Sequence, residues 1–234
     1  MSLVCIVIGI VFLICVLTGW AQGLFKVIIS VAGLVISIIV ANYVSPYVSG
    51  FLEERTQIDD KIAVYISEEL QFSELGEEAT RGIQVAVINE LPLPETLKSN
   101  ILDNNNSDMY QALKVTGVYE YIAKSVAVVI LNAAVFLFLV LFCRLFFYFL
   151  GKSVGSLTKL PIVRSIDKVG GGMLGAMKGL MLIWIFFLLL SITSPFAWSR
   201  EVITQISQSP ILKLLYDNNV LLDIVGDLTR VLFL

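Results

Sequence analysis

Four long stretches of this chain carry no charged residue: Met1–Phe25, Val27–Leu52, Ser125–Cys143 and Gly179–Ser199. Each is long enough to supply the roughly 17–25 mostly apolar residues that a helix needs to cross a bilayer. Lipid offers no hydrogen bonds, so a crossing segment must satisfy its own backbone, and helices are the expected form. Composition agrees, with 57% apolar and only 15% charged residues, where a soluble domain has about a quarter charged. A cleaved secretory signal would need a basic n-region. Nothing basic precedes Lys26, and the first run continues into the second after a short break over Thr18–Gly23. The first segment therefore reads as a retained helix.

Lysine and arginine near helix ends indicate sidedness. The stretch joining the third and fourth segments holds Arg144, Lys152, Lys159, Arg164, Lys168 and Lys178 against one acid, Asp167. Lys26 marks the turn between the first two segments. Both connections are expected in the cytoplasm. The long connection Phe51–Glu120 has 14 acids and five basic residues, so it belongs outside, as do both termini.

The expected architecture is all-α. A first transmembrane hairpin covers 1–50, an acidic extracytoplasmic helical domain 51–120, and a second hairpin 121–192 with a basic cytoplasmic linker over 144–178. An extracytoplasmic tail follows over 193–234. In the outer region, Ile58, Ile62, Tyr65, Ile66 and Leu70 recur at helical spacing, and a second amphipathic stretch runs from about Ala79 to Leu91. Pro94 suits the first turn of a short helix. The run from Asp103 to Asp108 reads as a loop with a helix cap, leading into a helix that continues into the third segment. Leu145, Phe146, Phe147, Phe149 and Leu150 beside basic residues either extend that helix or lie flat on the cytoplasmic face. Tyr43, Tyr47, Tyr119 and Tyr121, with Asn42 and Lys124, fit an aromatic belt at the outer boundary. Two apolar stretches after Pro195, at 211–216 and 220–225, can rejoin the outer domain.

Small residues spaced by four let membrane helices approach closely. Gly19 and Gly23 have this spacing, as do Gly171, Gly175 and Gly179, and Gly33 with Ser37 and Ala41. Helix packing is the favoured role. Gly19, Gly23 and Lys26 follow a G-x-x-x-G-x-x-K pattern that Gly171, Gly175 and Lys178 repeat. The two copies suggest hairpins in one orientation, a parallel repeat of a kind found in some transporters. Positions i, i+4 and i+7 share a helix face, which puts Lys26 and Lys178 beside their glycine stripes. They are candidate contacts for an anionic lipid or solute, together with Lys152, Lys159 and Arg164, although lysines that snorkel to the interface explain the pair more simply. Asn132 is the amide deep inside the third segment and a candidate intramembrane polar site.

The chain has no histidine, which removes the commonest general base and metal ligand. No phosphate loop appears, since Gly170-Gly171-Gly172 lacks a lysine-serine ending and a preceding strand. Cys5, Cys15 and Cys143 all fall in apolar runs and imply no disulfide framework. The residues point to a protein that is not an enzyme, with no cofactor, no metal and no nucleic-acid partner.

The turn Thr18-Gly19-Trp20-Ala21-Gln22-Gly23-Leu24-Phe25-Lys26 and the run Ser30-Val31-Ala32-Gly33 resemble the N-terminal hairpin of the colicin V production (CvpA) family. The stretch Ile166-Asp167-Lys168-Val169-Gly170-Gly171-Gly172-Met173-Leu174-Gly175-Ala176-Met177-Lys178-Gly179-Leu180 resembles that family's second glycine-rich block. The resemblance covers about residues 3–45 and 120–192. It implies a four-helix protein of the bacterial inner membrane, linked to export of a peptide toxin and to envelope fitness, with no catalytic residues to carry over. The leading expectation is an accessory or scaffold protein whose partners are membrane lipid, another membrane protein or a second copy of itself. The alternative is an oligomeric small-solute transporter or channel subunit.

Overall fold

The computed structural model describes residues 3–69, 81–91, 93–153 and 164–231, and every regular element among them is helical. Four helices are long and apolar enough to span a membrane: α1 (Leu3–Gln22), α2 (Leu24–Thr56), α7 (Val118–Ser153) and α8 (Arg164–Ile192). Between α2 and α7 lie α3 (Ile58–Glu69), α4 (Arg81–Glu90), α5 (Glu95–Asp103) and α6 (Ser107–Leu113); after α8 come α9 (Ala197–Ser207), α10 (Pro210–Asp217) and α11 (Val220–Val231). The protein is an all-α polytopic membrane protein.

Local chemistry places the boundaries. Gly23, at φ 80°, is the one residue between α1 and α2, a backbone conformation that costs a side-chain-bearing residue energy. Asn106 caps α6 by accepting from the backbone N–H groups of Asp108 and Met109 at 3.1 and 3.0 Å. The expected cap is there, but the helix does not run on into the third segment. Lys114, in the left-handed region at φ 56°, ends it, and α7 starts afresh. Pro94 stands just before α5 as its N-cap, one position earlier than expected. The chain past Arg144 continues α7 as far as Ser153.

The most extensive pairings run out of sequence order: α1 meets α2 little and lies along α8, α2 lies along α7 and α8, and α7 also meets α8. Tyr121, Ile122 and Ala123 belong to a core in which α2, α3, α5 and α11 surround the first half of α7, and Asp59 of α3 is buried as well. From Tyr121 to Leu137 nearly every residue of α7 is buried. Large exposed apolar residues begin on α7 only at Phe138 and run to Phe149, past Arg144. The lipid-facing part of this helix is therefore displaced toward its C-terminal end relative to the charge-free stretch 125–143. The cause is that α2, α8 and the cap together cover the half that the sequence alone assigns to lipid.

The cap is stitched to the bundle by side chains. Tyr121 donates to the Ile101 carbonyl at 2.7 Å and stacks on Tyr110 at a centroid distance of 5.0 Å, so it is a core residue and no part of an aromatic belt. Tyr43 and Tyr47 are 72% and 81% exposed, as a belt position requires. The segment after α8 does rejoin the cap: Arg200 pairs with Glu69 at 2.5 Å, and Gly226 of α11 touches Asn100 of α5. Asn219 donates to the Trp184 carbonyl at 3.0 Å, locking the α10–α11 junction against the flank of α8.

Candidate functional site

Two regions hold the polar chemistry, one at each end of the bundle. At the end carrying Gly23, the two glycine pairs of the sequence cross each other. A methyl group on Gly19 would sit 2.3 Å from the Gly171 carbonyl oxygen, and one on Gly171 would sit 2.4 Å from that of Gly19. Gly175 likewise meets the backbone of Cys15 at 2.5 Å, and Gly179 meets the side chains of Cys15 and Phe12 at 3.1 Å. The backbones are in direct contact, which is what small residues allow in a membrane. Gly33 faces α7 instead, where a methyl would lie 2.8 Å from Arg144 Nη1.

The two copies of the G-x-x-x-G-x-x-K pattern occupy unlike backbones. Gly23 is the positive-φ junction, so Lys26 sits on α2 while Gly19 sits on α1; Gly175 lies inside α8 with Lys178 on the same helix. The i, i+4, i+7 relation expected for the first copy is broken by that junction. Lys26 instead shares a face of α2 with Ser30 and Gly33. Lys26 is exposed and Lys178 half-buried. Lys159 lies outside the described residues, and for Lys152 and Arg164 only the helical backbone is described.

Two residues at this end stood out in the sequence only as members of the charged linker. Asp167, in the first turn of α8, accepts the Leu24 backbone N–H at 2.8 Å through Oδ1. One carboxylate thus sits at the N-termini of two helices, where their unsatisfied N–H groups favour negative charge. A single acid in a basic stretch was the available signal. Arg144 donates from Nη2 to Ser30 Oγ at 3.0 Å and lies over Gly33.

At the cap end, Lys124 pairs with Asp59 at 2.6 Å and with Asp60, and the Lys124 and Asp59 side chains are each only 11% exposed. Around them opens a cleft of about 760 Å³ lined by Glu53, Glu54, Asp59, Asp60, Glu68 and Glu120 as well as Lys114 and Lys124. Glu53 Oε1 and Asp59 Oδ1 are buried without a hydrogen-bond partner among the described residues. Carboxylates outnumber lysines in the cleft lining. No set of three histidine, cysteine or acidic side chains is gathered for a metal among the described residues.

The polar residues deep in the bundle are closed off. Ser37 and Asn132 are 0% exposed and Ser191 is 3% exposed. Ser37 donates to the Gly33 carbonyl of its own helix at 2.7 Å, and Ser191 to that of Phe187 at 3.0 Å. Tyr216 of α10 closes over Ser191 with their oxygens 3.2 Å apart, and burial raises its phenol above the ordinary range, so it stays neutral.

The family model for colicin V production protein matches residues 4–74 and 112–219. The interval between the two blocks holds α4, α5 and most of α6, a large part of the cap. No curated protein and no solved structure matches the chain.

Proposed function

Because the chain belongs to the colicin V production protein family, we propose that it is a non-enzymatic accessory or scaffold protein of the bacterial inner membrane, serving toxin production or export and upkeep of the envelope. The cap faces outward and takes a basic segment of a membrane or exported partner in its acidic cleft. The opposite end, with the basic linker, rests against the anionic lipid of the cytoplasmic leaflet. Sidedness follows the distribution of lysine and arginine, which is richest on the linker and sparse against acids in the cap.

One observation carries this reading. The deep polar residues Ser37 and Asn132 are sealed from water, whereas the charge is displayed in an open cleft at the cap. A solute pathway needs the reverse arrangement, with polar groups lining water at mid-depth. A charged cleft on a cap held by ion pairs suits recognition of a partner better than transport through one chain.

Photo-crosslinking in intact cells tests it, with a crosslinking residue in place of Val64, an exposed residue of the cleft lining, and the captured proteins identified. The expected result is a distinct membrane or exported protein, lost when Glu54 and Glu120 are changed together to lysine. Capture of the same chain alone, together with solute flux in proteoliposomes, would move the assignment to an oligomeric channel subunit. For the lipid contact, neutralising Lys152, Lys159, Arg164 and Lys168 should weaken the preference for anionic vesicles in flotation, since each juxtamembrane cation contributes about 1 kcal/mol.

A further inference from the structure

Arg144 does not stand at the edge of the apolar surface. On its own helix Leu141, Phe142, Leu145 and Phe146 are exposed, and exposed aromatic rings continue to Phe149, five residues and about 7 Å further along the axis. A guanidinium at that depth is costly unless its donors are satisfied. Arg144 has five N–H donors, and the protein accepts from it through Ser30 Oγ. Gly33 gives it room to lie on α2, because a methyl there would press on Nη1. Lys26 lies on the same face of α2 as Ser30 and Gly33 by the i, i+4, i+7 spacing and is exposed. Tyr148, four residues after Arg144 and on the same face of α7, is exposed as well. Neither cation has a carboxylate within 4 Å among the described residues. Asp167, the acid of this end, is engaged by the Leu24 N–H through Oδ1.

We propose that Arg144, Lys26 and Ser30 form a notch in the α2–α7 seam that holds the phosphate of one anionic phospholipid. The fork of Arg144 suits two phosphate oxygens at once, Lys26 adds a second positive charge, and the Ser30 hydroxyl can donate a further hydrogen bond. The acyl chains then run along the exposed apolar faces of α2 and α7. This deepens the lipid contact proposed above and rests on the same sidedness. It differs from the linker contact in being a single discrete lipid.

Native mass spectrometry of the full-length protein, released from detergent with phosphatidylglycerol or phosphatidylethanolamine present, reads this directly. One phosphatidylglycerol should be retained in preference to phosphatidylethanolamine. R144Q should weaken that retention about tenfold, K26Q about threefold, and R144K less than R144Q, since the charge survives but the fork does not. If R144Q fails to purify, K26Q and R144K carry the comparison. Glycerol phosphate at millimolar concentration should not displace the lipid. Equal retention by wild type, K26Q and R144K, or displacement by glycerol phosphate, would overturn the proposal, the latter by showing a soluble anion site. Loss of partner capture at the cap would leave this result untouched, so the two readings fail separately.

Discussion

The backbone N–H of Leu24 is bonded to the carboxylate of Asp167 at 2.8 Å, across 143 residues of chain. This contact joins the start of α2 to the start of α8 and sets the place where α1 can turn onto α8. Gly23, between them, has no room for a side chain: a methyl would sit 2.1 Å from Asp167 Oδ2.

Removing the Asp167 carboxylate should therefore act as loss of a helix cap. D167A is expected to destabilise the protein by about 1–2 kcal/mol, and D167N by less because one acceptor oxygen remains. Thermal unfolding of the purified protein in detergent measures it. G23A should be at least as harmful as D167A, since it adds left-handed strain to the collision. A G23A protein as stable as wild type would show that the α1–α2 junction is not built this way.

The pairing of α1 with α8 can be trapped chemically. Gly179 approaches Cys15 so closely that an added Cβ would lie 3.1 Å from the Cys15 Cβ, a little under the 3.5–4.5 Å usual between bridged cysteines. With Cys5 and Cys143 changed to serine, G179C should form a disulfide with Cys15 under mild oxidation, seen as faster migration on a non-reducing gel. Absence of that band, with a bridge forming instead between cysteines placed on α1 and α2, would restore the sequential hairpin.

Lys124 and Asp59 form a mostly buried ion pair. K124M leaves an uncompensated carboxylate in the core and is expected to cost about 3–5 kcal/mol, whereas K124M combined with D59L should recover much of that loss. Folding yield and detergent melting temperature of the single and double variants decide between these outcomes. A purely additive loss would mean that the two residues act independently.

Tyr216 closes the C-terminal end of α8 by stacking edge-on against Phe187 at 5.4 Å and meeting Ser191 at 3.2 Å. Y216F removes only the hydroxyl contact and should cost about 1 kcal/mol. Y216A also empties a packed site and should cost about 3–5 kcal/mol. Limited proteolysis after α8 should follow the same order, because loosening α10 exposes the segment beyond it. Equal resistance of both variants would show that α10 is held by other contacts.

Much of this was legible in the residues because the medium leaves few options. The charge gaps give four spanning helices, the amphipathic runs give α3 and α4, and the Asp103–Asp108 run gives a helix cap, which the structure places at Asn106. The glycine stripes stood out by their spacing. Their partners were not legible, since Gly19 meets Gly171 and Gly33 meets Arg144 only through crossings that no spacing encodes. Asp167 and Arg144 escaped notice for the same reason: each looks like one charge in a basic linker until the helix it serves, more than a hundred residues away in sequence, is brought beside it. The tyrosines show the converse error. Tyr43 and Tyr121 look alike in sequence, yet one is open to the surroundings and the other is buried under α5 and α6.

By itself, the sequence determined the solvent each segment requires, and therefore the number of spanning helices and their helical form, because an apolar run without charges has no stable alternative in water. It also marked some of the helix breaks, at the Thr18–Gly23 turn and in the Asp103–Asp108 run, but not the one at Lys114. Only the tertiary structure decided which helix lies against which, and with it how deep each charge sits. Depth depends on what covers a helix, and the cover on the first half of α7 comes from parts of the chain far from it in sequence.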